Sequence, residues 1–246
     1  MNRLILKELR ALGSQSKERP SVLDLGCGVG GSMIYLSQEV EADYHGVTIS
    51  SVQARLARAF VAERGLSGIS IDEADYTDRR YWERAGDRRY DLAIAVESFL
   101  HVDGLLTRLP LIASRLRPGG TLVVVDDMIS RLGASESRTR RQTRWLGEFR
   151  KGWYAHGLTE MQRFVASARD AGLTLIEARD LTPFLELDRP RDVLVRPIVS
   201  ALRWLPVRPQ WFNNLLGGNA LQLALRSHLL GYYFLVFSAR STRRPK

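Results

Sequence analysis

The sequence predicts an α/β fold in which helices cover both faces of a parallel sheet. From residue 21 onward, segments with strand patterns alternate with segments whose apolar residues recur at helical spacing. The predicted fourth strand, 91–96, is almost wholly apolar, which is typical of a strand buried on both faces. At 246 residues, the chain has the length of one such domain with inserted segments.

The elements of the first half follow one another without long gaps. Strands are predicted at 22–25, 44–49, 69–73 and 91–96. A helix is predicted at 31–39, and helical spacing indicates another after the second strand, with Ser50 or Ser51 as its N-cap.

The second half contains three more predicted strands and two long segments outside the alternation. A helix over 105–116 should be kinked by Pro110. Strands are predicted at 121–125, 174–178 and 232–237, and a helix between the first two of these. The outlying segments, about 128–157 and 181–230, are predicted to form a helical cap over a substrate. The chain is therefore expected to be a single domain, 1–246, with a core at about 20–127, 158–180 and 231–239.

Composition sets limits on partners and compartment. Thirty-six Lys and Arg residues against 27 acids give a formal net charge of +9, which attracts anionic substrates, membranes or nucleic acids without choosing among them. A single cysteine, Cys27, excludes an internal disulfide and a thiolate zinc site. Charged residues interrupt the first 20 positions, so we expect no export signal and a cytoplasmic location, with peripheral membrane contact left open.

A glycine-rich turn between the first strand and the first helix is the strongest signal in the chain. Residues 24–31 read Asp-Leu-Gly-Cys-Gly-Val-Gly-Gly. Glycines allow the backbone to approach a ligand closely, with amide donors facing it at the helix start. Gly26, Gly28 and Gly31 also match the dinucleotide fingerprint, so their spacing alone leaves the ligand open. A dinucleotide enzyme, however, would place an acid about 20 residues after the loop, and none stands there.

This run resembles the first motif of class I, Rossmann-like S-adenosylmethionine-dependent methyltransferases. The resemblance extends over roughly residues 20–180 and the last strand. It implies a three-layer, Rossmann-like, mostly parallel sheet of seven strands whose last strand is antiparallel, with S-adenosyl-L-methionine as cofactor. It also implies that the turn holds the methionine half of the cofactor, through Asp24, Gly26, Cys27, Gly28 and Gly31.

The second strand ends in a run similar to that of the tocopherol, sterol and cyclopropane-fatty-acid branch of this family. The run is Thr48-x-Ser50-x-x-Gln53, and the resemblance implies that Gln53 binds the ribose hydroxyls, since a neutral amide both donates and accepts. A plain helix cap would explain the same residues. Asp75 and Tyr76 stand where the family binds the adenine amino group and ring, although alone they would equally suit a surface turn.

Residues 97–101 follow the fourth strand, at the edge where open α/β sheets bind ligands. They resemble the Glu-Ser-x-x-His stretch of the same branch. Because histidine titrates near neutrality, His101 is predicted as the catalytic base, and Glu97 as a catalytic group or a contact to the methionine end of the cofactor. A histidine that only caps or packs on the next helix would look the same.

Metal-dependent and nucleic-acid chemistries are disfavoured. Asp126 and Asp127 would suit Mg²⁺ as in catechol-type methyltransferases, but no third ligand is identifiable, so no metal is predicted. Cytosine C5 methyltransferases need a catalytic thiol, and Cys27 lies in the cofactor turn. Amino-methylating DNA enzymes carry a Pro-Pro-aromatic run that is absent after the fourth strand.

Aromatic and basic residues in the first cap segment point to the acceptor. Trp145, Phe149 and Trp153 share one face of a predicted helix, with Arg144 among the cations around it. An aromatic wall fringed by guanidinium groups suits an apolar molecule that carries a carboxylate or phosphate, although the helix would equally dock its aromatics on the core.

The second cap segment repeats this composition. It contains Trp204, Trp211, Phe212 and a leucine-rich helix predicted from Leu215 to Leu230. No uncharged stretch in it is long enough and free enough of Asn and Gln to suggest a membrane span.

The predicted function is methyl transfer from S-adenosylmethionine to an apolar small molecule or lipid-like acceptor, such as an isoprenoid, a polyketide or another secondary metabolite, by a monomer or homodimer. O-methylation with His101 as base and C-methylation with Glu97 or His101 taking the proton both remain open. An RNA methyltransferase and a non-catalytic binding domain with the cofactor fold are the alternatives.

Overall fold

The computed structural model describes residues 1–13, 19–135, 137–187, 199 and 210–240. Its centre is one seven-stranded sheet of order β3-β2-β1-β4-β5-β7-β6. The strands are β1 Ser21–Leu25, β2 Asp43–Thr48, β3 Ile69–Glu73, β4 Tyr90–Val96, β5 Leu116–Ile129, β6 Leu173–Asp180 and β7 Leu230–Ala239. The first five pair in parallel, and β7 runs antiparallel to both β5 and β6. The predicted fold class is therefore confirmed.

Helices cover both faces of the sheet. They are α1 Asn2–Gly13, α2 Gly31–Ser37, α3 Ser51–Glu63, α4 Arg79–Ala85, α5 Leu105–Ala113, α6 Arg131–Ala134, α7 Arg140–Gly152, α8 Met161–Asp170 and α9 Gln210–Arg226. Short 3₁₀ turns lie at Phe99–His101 and Thr182–Phe184. Alternation along β5 sends Val123 and Val125 to the core shared with α1, α2 and α3, and Leu122 and Val124 to the core shared with α4, α5 and α8.

Several boundaries differ from the predicted ones. Helix α1 was not predicted, and Ile5 and Leu9 are wholly buried against the sheet. The leucine-rich helix predicted to reach Leu230 ends at Arg226, because Leu230 already pairs with Ile129 as the first residue of β7. Strand β5 likewise extends beyond the predicted 121–125 to Ile129, since β7 supplies a partner along its whole second half.

The predicted cap segments contain α6, α7 and α9. Helices α7 and α9 pack closely, since a Cβ added to Gly152 would lie 2.8 Å from the Cα of Gly217. Positions 188–198 and 200–209 of the second cap segment, including Trp204, lie outside the described residues. Across the described ranges, no helix combines the length and apolar character that a membrane crossing requires.

Candidate functional site

The glycine-rich turn leaves β1 at the carboxyl edge of the sheet and leads into α2. Gly26, Gly28 and Gly30 have φ angles of +82°, +55° and +79°, the left-handed region that side chains rarely adopt. The amides of Gly26 and Cys27 both donate to the carbonyl of Val47, at 2.8 and 3.0 Å, and so tether the turn to β2. This fixed backbone leaves the amides nearer the start of α2 to face a ligand.

Space around the turn fits a ligand that approaches the backbone. An added Cβ on Gly28 would meet no atom within 4 Å, whereas one on Gly26 would lie 2.5 Å from the Cβ of Ser98. Cys27 is buried, and its Sγ would lie 2.8 Å from a Cβ on Gly46. Burial raises the pKa of the Cys27 thiol to about 12, so this residue contributes its backbone and a neutral side chain.

Asp24 precedes the turn and is only 3% exposed. Burial raises the pKa of its carboxyl to about 7, because the charged form is poorly solvated there. A cationic group bound above the turn would offset that cost. Asp24 therefore suits a ligand that carries an ammonium or sulfonium charge.

The end of β2 and the start of α3 form a small hydrogen-bonded unit. The Thr48 hydroxyl donates to Gln53 Oε1 at 3.1 Å, and Ser50 Oγ accepts the Gln53 amide at 3.3 Å as the N-cap of α3. The N-cap of α3 uses only the backbone amide of Gln53. The exposed side chain of Gln53 can therefore contact a ligand while the cap stays in place.

Apolar side chains beside this unit were not predicted as site residues. Ile49, just after β2, is 77% exposed, and Val52, in the first turn of α3, is 53% exposed. Exposed apolar residues at the carboxyl edge of a sheet suit a flat ring such as adenine. Ile49 was predicted as the last residue of the second strand, but the pairing of β2 with β3 ends at Thr48, which leaves the Ile49 side chain exposed.

Asp75 and Tyr76 follow β3 and differ in exposure. Asp75 is exposed, and its Oδ1 accepts both the amide and the hydroxyl of Thr77, at 2.8 and 2.7 Å. Tyr76 is buried, packs its ring on Phe99 and donates its hydroxyl to the Ser98 carbonyl at 3.3 Å. Asp75 thus forms a turn with Thr77 through its Oδ1 atom. Contact of either residue with adenine stays a prediction.

Glu97 lies immediately after β4 with a φ of +50°, a conformation that a non-glycine residue rarely adopts. Its amide donates to the Val125 carbonyl at 2.8 Å, and its Oε1 accepts the hydroxyl of Tyr232 from β7 at 2.8 Å. Asp127 of β5 is the direct cross-strand partner of Tyr232, so their side chains share one face of the sheet. Sequence reasoning did not find Tyr232, because the pairing joins strands 105 positions apart.

The two strand-end aspartates have different environments. Asp126 is 1% exposed and accepts the amides of Leu100 and Asp127, both at 3.0 Å, which fixes the turn that follows β4. Asp127 Oδ1 is buried and has no hydrogen-bond partner among the described residues. Burial first and then the Glu97 charge raise the pKa of Asp127 to about 7. In the described part of the chain, no group of three His, Cys, Asp or Glu residues suits a metal ion.

His101 lies apart from this cluster in its contacts. Its side chain is exposed, and its Nδ1 lies 3.4 Å from the Tyr154 carbonyl, while its amide donates to Ser98 at 3.2 Å. Glu97 and His101, predicted as alternative proton acceptors, have no shared hydrogen bond among the described residues.

The cap aromatics pack mainly on one another and on α9. Trp145 and Phe149 are 7% and 0% exposed within a core that includes Ala220 and Ala224, so they support the cap and do not form the open wall that the sequence suggested. Trp153 is 41% exposed and donates its indole N–H to the Asn214 carbonyl at 3.3 Å.

Arg144 lies on the outer surface of α7. Its Nε is 4.0 Å from Glu148 one turn later, a distance typical of a weak surface ion pair. Among the four predicted substrate contacts, Trp153 and Arg144 thus keep accessible surface, and their contact with an acceptor stays a prediction.

Comparisons with known proteins agree with this geometry. A family described as "Methyltransferase domain" matches residues 1–178. A probable chloroplastic tocopherol O-methyltransferase of Oryza sativa subsp. japonica is 32% identical over 117 residues, which cover 47% of this chain and 31% of that protein. Methyltransferase GfsG of Streptomyces halstedii is 30% identical over 182 residues, which cover 74% of this chain and 61% of that protein.

Solved structures share the fold. Geranyl diphosphate C-methyltransferase from Streptomyces coelicolor A3(2), in complex with Mg²⁺, geranyl diphosphate and S-adenosyl-L-homocysteine, superposes with a TM-score of 0.67 at 17% identity. The match covers 96% of this chain and 80% of that one. This likeness concerns the fold alone, and the aligned region spans less than two thirds of the two curated relatives.

Proposed function

The chain belongs to the family of methyltransferase domains, and from this premise we propose that it transfers a methyl group from S-adenosylmethionine to an apolar small molecule or lipid-like acceptor. The observation that carries the proposal is the turn 26–31, whose left-handed glycines and open space at Gly28 suit a ligand held against the backbone. When bound, S-adenosylmethionine supplies a methyl group on a positively charged sulfur.

The residues at the carboxyl edge fit such a cofactor by their chemistry. The backbone of residues 26–31 binds its amino-acid end, and Asp24 offsets positive charge there. Gln53 binds the ribose hydroxyls, while Ile49 and Asp75 contact the adenine ring and its amino group. The protein's main task in methyl transfer is to align donor and acceptor, which this rigid edge supports.

The acceptor class rests on the cap and on the relatives. Trp153, directly after α7, and Trp211 on α9 are exposed near the predominantly basic surface of α7, which suits an apolar molecule with an anionic group. The relatives include a tocopherol O-methyltransferase by name, and a fold neighbour binds geranyl diphosphate. An isoprenoid or another secondary metabolite is therefore the proposed acceptor, methylated at oxygen or carbon.

Calorimetric binding of S-adenosylmethionine and S-adenosylhomocysteine tests the cofactor site. Wild-type protein should bind both, and Gly28→Arg should lose both because its side chain fills the open space above the turn. Gly65→Arg is the matched control, since Gly65 has a φ of +63° and equally open surroundings in the turn after α3, at the opposite edge. Equal loss in both variants, or no wild-type binding, would contradict the proposed site.

Methylation assays with tritiated cofactor test the acceptor class. We expect label in γ-tocopherol, 1-naphthol or geranyl diphosphate, which represent phenols with and without an isoprenoid tail and an isoprenoid diphosphate. Transfer only to polar amines such as sarcosine would overturn the proposed acceptor class while leaving the cofactor assignment in place.

A further inference from the structure

A candidate proton acceptor other than His101 lies in the cluster formed by Glu97, Asp127 and Tyr232. Each comes from a different strand or strand end, and the register of β5 with β7 places Asp127 and Tyr232 on the same face. The Tyr232 hydroxyl bridges toward Glu97 at 2.8 Å and lies 3.7 Å from Met1 Sδ, at the start of α1. The cluster thus lies at the carboxyl ends of the two strands where ligands bind in this fold.

Glu97 and Tyr232 share a hydrogen bond, whereas one carboxylate oxygen of Asp127 has no partner within the described residues. Tyr232 donates to Glu97, so that carboxylate has a hydrogen-bond partner within the cluster. Asp127 keeps a buried Oδ1 that has no partner within the described residues, although buried polar atoms are nearly always paired. Such an atom is expected where a ligand, here the acceptor, supplies the missing hydrogen.

His101 shows the opposite features. It is exposed, and its ring is oriented toward a backbone carbonyl on the loop after α7. A solvent-exposed base exchanges protons with bulk water as readily as with an acceptor. An enclosed carboxylate is held at a fixed position and is shielded from competing water.

We propose that Asp127 is the catalytic base of the proposed methyl transfer, with Tyr232 and Glu97 as its positioning residues. An acceptor hydroxyl donates to Asp127 Oδ1 in the bound state. As the acceptor oxygen bonds to the methyl carbon, the carbon–sulfur bond breaks, its electron pair stays on sulfur, and the hydroxyl proton passes to Asp127. The neutral thioether and the methylated acceptor then leave, and the carboxyl returns its proton to water. This inference rests on the proposed function.

The titration of Asp127 supports this role. Burial first, and then the negative charge of Glu97 at the end of β4, raise the pKa of Asp127. Tyr232 on β7 lies on the same face of the sheet, while Asp126 on its own strand accepts the backbone amide of Asp127. A base with a pKa near 7 both holds a proton in the product state and releases it at neutral pH.

Carboxyl-carbon NMR of ¹³C-aspartate-labelled protein tests the environment without any acceptor. The resonance absent from Asp127→Asn should titrate near pH 7, and in Glu97→Gln its midpoint should move to lower pH, because a neighbouring negative charge is removed. Asp170→Asn, the same change at an exposed position on α8, should leave that resonance unaltered. A midpoint near that of ordinary aspartate, or one that Glu97→Gln does not move, would overturn the proposal.

Turnover with a hydroxyl acceptor from the methylation assay tests the role itself. Asp127→Asn should still bind S-adenosylmethionine but lower kcat by about 10²- to 10⁴-fold and remove the rise of kcat/KM through pH 7, while His101→Gln keeps both. The reverse result would return the role to His101. If S-adenosylmethionine binds but no hydroxyl compound is methylated, the acceptor class fails and this inference fails with it; if wild-type protein binds no cofactor, the proposed function fails first.

Discussion

The two edges of the sheet treat buried polar groups in opposite ways. At the amino edge, His45 is 5% exposed and lies between the Tyr90 hydroxyl at 2.5 Å and Asp72 Oδ2 at 3.0 Å. The Tyr81 hydroxyl also donates to Asp72, at 2.8 Å. Each of these side chains has a partner, so the network stabilises the packing of β2, β3 and β4 without requiring a ligand.

At the carboxyl edge, the same sheet contains residues with energetically unfavourable backbone conformations and poorly solvated carboxyl groups. Glu97 and the glycine turn have left-handed backbone, Asp24 and Asp127 carry raised pKa values, and Asp127 Oδ1 has no partner in the described ranges. Such features persist where the surrounding structure enforces them and where a ligand benefits. This difference favours a functional site at the carboxyl edge and a purely structural hydrogen-bond network at the amino edge.

The largest expected effect comes from Gly26→Ala. The new Cβ would meet Ser98 at 2.5 Å in addition to the φ of +82°, so the turn must move and cofactor affinity should fall by at least about 100-fold. Gly119→Ala, at the amino edge, has a φ of +80° but open surroundings and should leave affinity unchanged. Calorimetry on both variants checks this; equal losses would mean that strain alone, and not the position at the carboxyl edge, decides binding.

The next expected effect is on the pH dependence of stability, which should differ between the two edges. Asp127 has a raised pKa, so the folded state binds more protons than the unfolded state between about pH 4 and pH 7, and its penalty is complete above pH 7. Asp127→Asn should thus raise the free energy of unfolding at pH 8 by on the order of 4 kcal/mol, with little gain at pH 4. Urea denaturation at both pH values measures this.

The amino edge should respond in the opposite direction. Burial lowers the pKa of His45, so the unfolded state binds more protons below about pH 6.5 and stability is lost as the pH falls. Burial alone would raise the pKa of Asp72, but hydrogen bonds from Tyr81 and His45 lower it, which adds loss at still lower pH. If Asp127→Asn stabilised the protein equally at pH 4 and pH 8, the contrast between the edges would fail.

Much of this organisation was predictable from local patterns. The alternation of strands with helices predicted the fold class, and the turn at 24–31 predicted the methyltransferase family. Both predictions are confirmed. They were possible because each signal lies within a short stretch of chain. Helix α1 was not predicted, because charged residues interrupt its apolar pattern, although Ile5 and Leu9 have the spacing of a buried helical face.

The remaining features depend on pairings that sequence order does not reveal. The Asp127–Tyr232 pair requires the register of an antiparallel strand more than 100 positions away. The burial of Trp145 and Phe149 requires α9, which begins some 60 residues later. A helix with one aromatic face predicts that something packs there, but it does not tell whether the partner is a substrate or another helix.

The smallest expected effect concerns Tyr76, which is either a structural residue of the carboxyl edge or a contact to the ligand. Its ring packs on Phe99, and its hydroxyl makes one bond of 3.3 Å to the Ser98 carbonyl. Tyr76→Phe keeps the ring and should cost about 0.5–1.5 kcal/mol of stability, with S-adenosylmethionine affinity changed less than about twofold. Calorimetry and urea denaturation on the same variant measure both. A large loss of affinity with unchanged stability would instead show that the hydroxyl acts on the ligand, and would place Tyr76 with Glu97 and Asp127 among the groups that this edge reserves for function.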